Sequence, residues 1–198
     1  MKIDLHVHCR ERSACGRASE ANLLQAARRA GLDALAFTDH DRLTPVGHLD
    51  ELNRRYAPLR IFGGVEVTLP SEHIVVLGIQ DPALESLEWH YEDLWHFVHQ
   101  RGGFMTLAHP FRFHDSIDAP IDRFPPHGIE VYSINTAPRH EKRIREIAAR
   151  LDIRLMSDSD AHTVDPMGQY YNDLQSAAEN DLELVRDLVA GPSIPSKH

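Results

Sequence analysis

The chain has 198 residues, enough for one domain with a sizeable core. Its hydrophobic and charged fractions, 42% and 26%, are those of an ordinary soluble globular protein, and no run of about eighteen apolar residues is present to cross a membrane. A net charge of −9 argues against the broad cationic footprint that duplex nucleic acid requires, so no duplex partner is expected.

The opening MKIDLHVH reads directly as a strand (Ile3–His8) and lacks the apolar stretch and cleavage site of a signal peptide, so a cytoplasmic location is expected. Cys9 and Cys15 match neither a disulfide framework nor a standard zinc pair and read as free thiols in a reducing compartment. Ser19 is placed to cap a helix through Leu23, Leu24, Ala27 and Ala30, stopped by Gly31. Ala34–Asp39 is a second strand. Thr44-Pro45 predicts a helix start, with a hydroxyl cap and a proline in the first turn.

Ile61–Thr68 and His73–Ile79 are strands joined by a short loop holding Pro70. Leu87–Arg101 is a helix ended by Gly102-Gly103. Phe104–Ala108 and Ile129–Ser133 are strands separated by a proline-rich loop. Arg139–Leu151 is an amphipathic helix with Ile144, Ile147, Ala148 and Leu151 on one face. Ile153–Ser157 is the last clear strand. Asn180 and Glu183 have the spacing of a capping box for a final helix ending at Gly191. Residues 1–191 thus form one domain, and 192–198 are expected to fray. Seven strands interleaved with helices predict a mostly parallel sheet covered by helices.

The ends of these strands carry the chemistry. His6 and His8 are two apart on a strand, so both imidazoles point the same way. His40 closes Thr38-Asp39-His40, Glu66 ends a strand after Gly63-Gly64, and His109 precedes Pro110, which forces an extended or turning backbone. Asp160-Ala161-His162 adds a carboxylate and an imidazole two apart; this spacing selects Asp160 over Asp158. Buried imidazoles and carboxylates are costly unless they bind something. Ligands from nearly every strand end converge only if the sheet closes, which favours a barrel over an open sheet. The other histidines (His48, His90, His96, His99, His114, His127, His140 and His198) lack such a context. His96 and His99, three apart on a helix, are expected on a solvated face.

The fragments Asp4–His8 (DLHVH), Phe37–His40 (FTDH), Gly64–Val67 (GVEV), His73–Gly78 (HIVVLG), Ala108–Pro110 (AHP), Ile129–Tyr132 (IEVY) and Ser159–His162 (SDAH) resemble, in this order, the polymerase and histidinol phosphatase (PHP) family of metal-dependent phosphoesterases. The resemblance covers essentially the whole chain. It implies an α/β fold, a single-domain distorted (β/α)7 barrel, and two or three divalent ions drawn from zinc, manganese and iron. By motif, His6, His8, His40, Glu66, His73, His109, Asp160 and His162 become the ligands. The family commonly has a further aspartate or histidine where this chain has Ala14; either Cys15 or Glu11 substitutes, or the position is a gap. Thiolate at Cys15 would favour zinc.

The implied reaction is hydrolysis of a small phosphorylated metabolite or nucleotide by a metal-activated water. His40, Asp160, His162 and Arg112 are the candidate catalytic residues, with Asp160 and His162 standing either as ligands or as general acid. Arg112 is placed to grip phosphate with its planar fork. The loop Phe111–His127, long for a compact domain, is expected to wall the substrate pocket. The competing readings are a metal-dependent amidohydrolase and a metal-binding regulatory module without turnover.

Overall fold

The computed structural model describes all residues except Leu87, Ser176, Pro192 and His198, together with the side chain of Ser193. Its strands are β1 (Lys2–Val7), β2 (Ala34–Phe37), β3 (Arg60–Thr68), β4 (His73–Leu77), β5 (Phe104–Leu107), β6 (Gly128–Tyr132), β7 (Arg154–Ser157), β8 (Tyr170–Leu174) and β9 (Ser193–Lys197). The helices are α1 (Glu20–Arg29), α2 (Val46–Tyr56), α3 (Tyr91–Gln100), α4 (Glu141–Leu151) and α5 (Asp181–Ala190). The sheet runs β7-β6-β5-β4-β3-β2-β1-β8-β9.

The period-two pattern of each strand sorts its side chains between inside and outside. Ala34, Ala36, Phe62, Val75, Leu77, Phe104 and Met156 form one interior cluster, which Leu184, Val185 and Leu188 of α5 join. This helix seals the end of the barrel opposite the histidines. Leu35, Phe37 and Ile61 face α1 and α2. Val65, Val76, Met105, Leu107 and Ile129 face α3 and α4. Moving up the interior, apolar residues give way to polar ones: Phe62 then Glu66 on β3, Met156 then Asp158 after it. β1 breaks register between Asp4 and Val7. Leu5 therefore joins the apolar interior while the next residue, His6, still reaches the polar end, a use of irregularity common beside functional sites.

The barrel closes between β7 and β1 without a full ladder. Val7 and Ala161 form an isolated parallel bridge, and the Leu5 amide donates to Asp158 Oδ1 at 2.8 Å. Buried Asn172 of β8 stands in for a strand partner: its Oδ1 accepts from the Ser157 amide and its Nδ2 donates to the Ser157 carbonyl, each at 3.0 Å.

The α/β barrel expected from the sequence is present, with four differences. Among the described residues there are nine strands rather than seven. The sheet is mixed: β4 is antiparallel to β3 and β5, and β8 to β1 and β9. The Leu69–Glu72 link is far shorter than the dozen or so residues a parallel crossover requires. The segment expected to fray instead supplies Ser193–Lys197 as edge strand β9, where Pro195 is tolerated. Finally, α2 begins after Pro45 as its cap, and the Thr44 hydroxyl has no hydrogen-bond partner among the described residues. Ser19 and Asn180 cap α1 and α5 as expected, accepting from Asn22 and Glu183. The expected start of α3 at Leu87 lies outside the described residues; the helix begins at Tyr91. Likewise α4 begins at Glu141, after a 3-10 turn over Pro138–His140.

Candidate metal centre

All eight side chains singled out as ligands meet at the open end of the barrel. Glu66, on β3, is the hub. Its Oε2 lies 3.2 Å from His6 Nε2, 3.1 Å from His8 Nε2 and 3.1 Å from His40 Nδ1. Its Oε1 lies 3.0 Å from His73 Nδ1 and 3.0 Å from His109 Nε2. Asp160 stands opposite, with Oδ1 3.2 Å from His8 Nε2 and 3.5 Å from both His6 Nε2 and His162 Nδ1.

Two of these positions depend on unusual backbone. His109 and Asp160 have φ of 25° and 52°, in the left-handed region that disfavours side chains. Pro110 thus accompanies a turn at His109 rather than an extended link. The His109 turn is pinned by its amide, which donates to Glu130 Oε2 at 2.6 Å. Strain of this kind persists where surrounding contacts fix it, and it concentrates at functional sites.

A second row of polar groups orients the first. His6 Nδ1 donates to Glu130 Oε1 at 2.6 Å, which leaves Nε2 as the free nitrogen. His8 Nδ1 faces Ser13 Oγ at 3.4 Å, and that hydroxyl donates to Asp39 Oδ1 at 2.9 Å. Arg12 Nε holds the other Asp39 oxygen at 2.7 Å. His162 Nδ1 donates to the Asp160 carbonyl at 2.8 Å, again freeing Nε2. Imidazole–acceptor pairs of this type fix the tautomer and aim of a metal ligand.

The electrostatics follow from burial opposed by close charge. Burial alone would raise Glu66; His6, His109 and His73 outweigh it and hold its carboxyl well below the usual range. Asp160 is likewise lowered, against burial, by His6 and His8. Burial would lower His6, but Glu66, Asp160 and Glu130 hold it well above an ordinary imidazole. His8 is raised too, with Asp160 and Glu66 overcoming its burial. His40 and His162, at the rim, go the other way: burial and neighbouring imidazoles lower both, His40 to about 4.

Four atoms stand out. His6 Nε2, His8 Nε2, Glu66 Oε2 and Asp160 Oδ1 are buried and have no hydrogen-bond partner among the described residues. These four side chains form a group whose donor atoms lie within 4.8 Å of one another, as do His40, Glu66 and His73. Leaving so many buried donors and acceptors unpaired is expensive. The nitrogen, carboxylate and spacing pattern fits divalent ions.

The remaining expectations divide. Arg112 reaches the rim, its Nη1 3.4 Å from Asp160 Oδ2. Glu11 turns away and accepts from the Glu20 amide at 3.0 Å, so it does not fill the place of the further ligand that the resemblance implies. Only the first part of the long loop borders the site: Phe113 packs 5.0 Å from the His73 ring, whereas Phe111 and Phe124 are buried in the outer core. His96 and His99 belong to no potential metal group among the described residues; His99 stacks on Trp95. The sequence reading missed Asn135, whose Nδ2 donates to Asp160 Oδ2 at 2.5 Å. It also missed Ser13 and Asn172. None of the three lies in a recognisable motif.

Comparison with known proteins agrees with this fold. A family model described as PHP-associated matches residues 138–192. Among solved structures, PsfC from Pseudomonas syringae superposes with a TM-score of 0.74 at 20% identity, covering 100% of this chain and 91% of that one. A two-domain protein of Bacteroides vulgatus, described as containing a predicted PHP-like metal-dependent phosphoesterase, gives 0.70 at 18%, covering 98% and 64%. An amidohydrolase from Chromobacterium violaceum with bound sulfate gives 0.64 at 20%, covering 98% of each chain. No curated protein sequence matches significantly. The fold and site define an α/β barrel with a histidine–carboxylate cage. The chain shares its fold with these solved structures, and its PHP-associated match lies in residues 138–192.

Proposed function

We propose that this chain is a metal-dependent phosphoesterase that hydrolyses a small phosphorylated metabolite or nucleotide. The observation that carries the reading is the set of unpartnered buried atoms on His6, His8, Glu66 and Asp160. Those residues, with His40, His73, His109 and His162, would hold two or three divalent ions among zinc, manganese and iron. When bound, such ions supply an activated water and neutralise charge on a phosphoryl group.

The chain's own groups supply the rest. Arg112 sits at the mouth with its side chain one-third exposed, free to exchange its long Asp160 contact for phosphate oxygens. Asn135 holds Asp160 Oδ2, keeping Oδ1 turned toward the cage. His162 and His40 are neutral at pH 7 and half-buried, and His162 keeps Nε2 unprotonated, which suits a ligand or proton acceptor better than an acid. Phe113 packs against the His73 and His109 rings on that side of the site.

No helix among the described residues is long and apolar enough to cross a membrane. Cys9 and Cys15 are both free thiols, which supports a reducing, cytoplasmic setting. The second reading, amide hydrolysis, is favoured by the amidohydrolase of the same fold.

The test is phosphate release from an aryl phosphate and from a panel of phosphorylated metabolites, with Mn²⁺ or Zn²⁺ added. Turnover is expected in the wild type and abolished in His40→Ala and Asp160→Ala, with unchanged circular dichroism. Retained turnover in either variant rejects the assignment. Bound metal without phosphate release, but with cleavage of an amide panel, favours the second reading.

A further inference from the structure

The loop between β1 and α1 carries a donor that the buried cage does not use. Cys15 lies with His8, His40 and His162 in a group whose donor atoms are all within 4.8 Å of one another. The place of Cys15 in this group is fixed by the loop rather than by chance exposure. Ser13 is anchored on one side: its amide donates to the Cys9 carbonyl at 2.9 Å, and its hydroxyl accepts from the His40 amide at 2.9 Å. Gly16 is anchored on the other side, so tightly that a Cβ there would sit 2.5 Å from the Cys9 carbonyl carbon. Just beyond, the Arg17 and Ala18 amides both donate to the His162 carbonyl, at 2.8 and 3.0 Å. The thiol is thus held between residues tied to the backbones of His40 and His162.

A second feature points to a ligand at this spot. His8 is fully buried, its Nδ1 is taken by Ser13, and its Nε2 has no partner among the described residues. His162 Nε2 is likewise the free nitrogen. In a tetrahedral zinc site with bonds of about 2.0–2.3 Å, donors sit roughly 3.5 Å apart. The observed group needs a contraction of about 1 Å, small for an exposed cysteine side chain.

We propose that Cys15 supplies a thiolate ligand to an outer metal position shared with His8, His40 and His162, so that this position prefers a thiophilic ion such as Zn²⁺ to a hard one. The inference rests on the reading of the pocket as a divalent-metal centre, but not on what the centre hydrolyses. His8 has only Nε2 to give, so with His8 on the outer ion the inner group keeps His6, Glu66 and Asp160; soft thiolate ligands favour zinc, whereas this carboxylate-rich inner group also suits manganese.

The test uses Co²⁺ as probe on the full chain stripped of metal. Thiolate-to-cobalt charge-transfer absorption is expected in the near ultraviolet for the wild type. Cys15→Ser should lose that absorption and one equivalent of bound cobalt while keeping the rest. In parallel, Zn²⁺ should slow alkylation of Cys15 in the wild type by at least about tenfold. The buried Cys9, held by Asp39, serves as the unreactive reference. Cobalt loading without the thiolate band, a band that survives Cys15→Ser, or alkylation indifferent to Zn²⁺ each overturns the proposal. Hydrolytic activity with no thiolate signal leaves the phosphoesterase reading standing and removes this one. The reverse result removes only the phosphoesterase reading, and a protein that binds no divalent ion removes both.

Discussion

Replacing Glu130 with glutamine turns one of two buried acceptors into a donor at almost constant volume. Both oxygens of Glu130 are occupied: Oε1 accepts from His6 Nδ1 and Oε2 from the His109 amide, each at 2.6 Å. A glutamine can satisfy only one of them. The backbone amide cannot give up its proton, so the glutamine oxygen belongs to His109. The glutamine NH₂ then faces His6, whose Nδ1 must be without its proton to accept, so the single proton the ring retains sits on Nε2. An unsatisfied buried donor would cost about 1–3 kcal/mol, and the tautomer switch avoids most of that. The cost is transferred to the site, because the proton now sits on the nitrogen aimed at Glu66 and Asp160. Loss of such an orienting partner typically weakens metal affinity by about 10–100-fold, or about 1.4–2.7 kcal/mol. Competition titration of Zn²⁺ against a chromophoric chelator reads the affinity, and denaturant unfolding reads stability. The expected pattern is weak metal binding in a variant that unfolds within about 1 kcal/mol of wild type. A folded variant with wild-type metal affinity refutes the tautomer argument.

Two further outcomes follow from the same geometry. His6 is held well above an ordinary imidazole and His8 is raised in the metal-free chain, so an incoming cation competes with protons at these rings; affinity should rise with pH, and titration calorimetry in buffers of different ionisation heat should show net proton release. Binding at pH 7 with no buffer dependence would contradict the assigned charge states. Arg112→Ala should leave metal content unchanged while raising KM for the phosphorylated substrate by about 10–100-fold, the loss of one charge-assisted contact of about 1.5–3 kcal/mol. An unchanged KM would place phosphate recognition elsewhere.

The cluster of candidate ligands was legible because its members violate the rule that buried strands are apolar. His6, Glu66 and Asp160 are fully buried yet sit beside Val7, Val65 and Ala161, and nothing but a shared task explains imidazoles and acids there. Strand β8 was not legible for the same reason inverted: Asn172 and Asp173 break its apolar pattern, yet Asn172 replaces backbone partners at the barrel seam. The antiparallel turn at β4 was readable in principle from the short Leu69–Glu72 link, which leaves no room for a crossover. Thr44 shows local propensity losing to context: its hydroxyl is buried without a partner among the described residues, and Pro45 caps α2 instead. Asn135 reaches the site from a loop, where no periodicity announces a side chain's destination.

The left-handed turns at His109 and Asp160 bear on any attempt to transplant this pocket. Each costs on the order of 1–2 kcal/mol for a residue with a Cβ, and glycine would relieve it only by deleting the donor. Grafting the eight side chains onto an idealised barrel with regular strands would therefore aim two of them wrongly. A working copy must import the Ala108–Pro110 and Ser159–Ala161 corners as whole backbone pieces, together with the Glu130 carboxylate that staples the first of them.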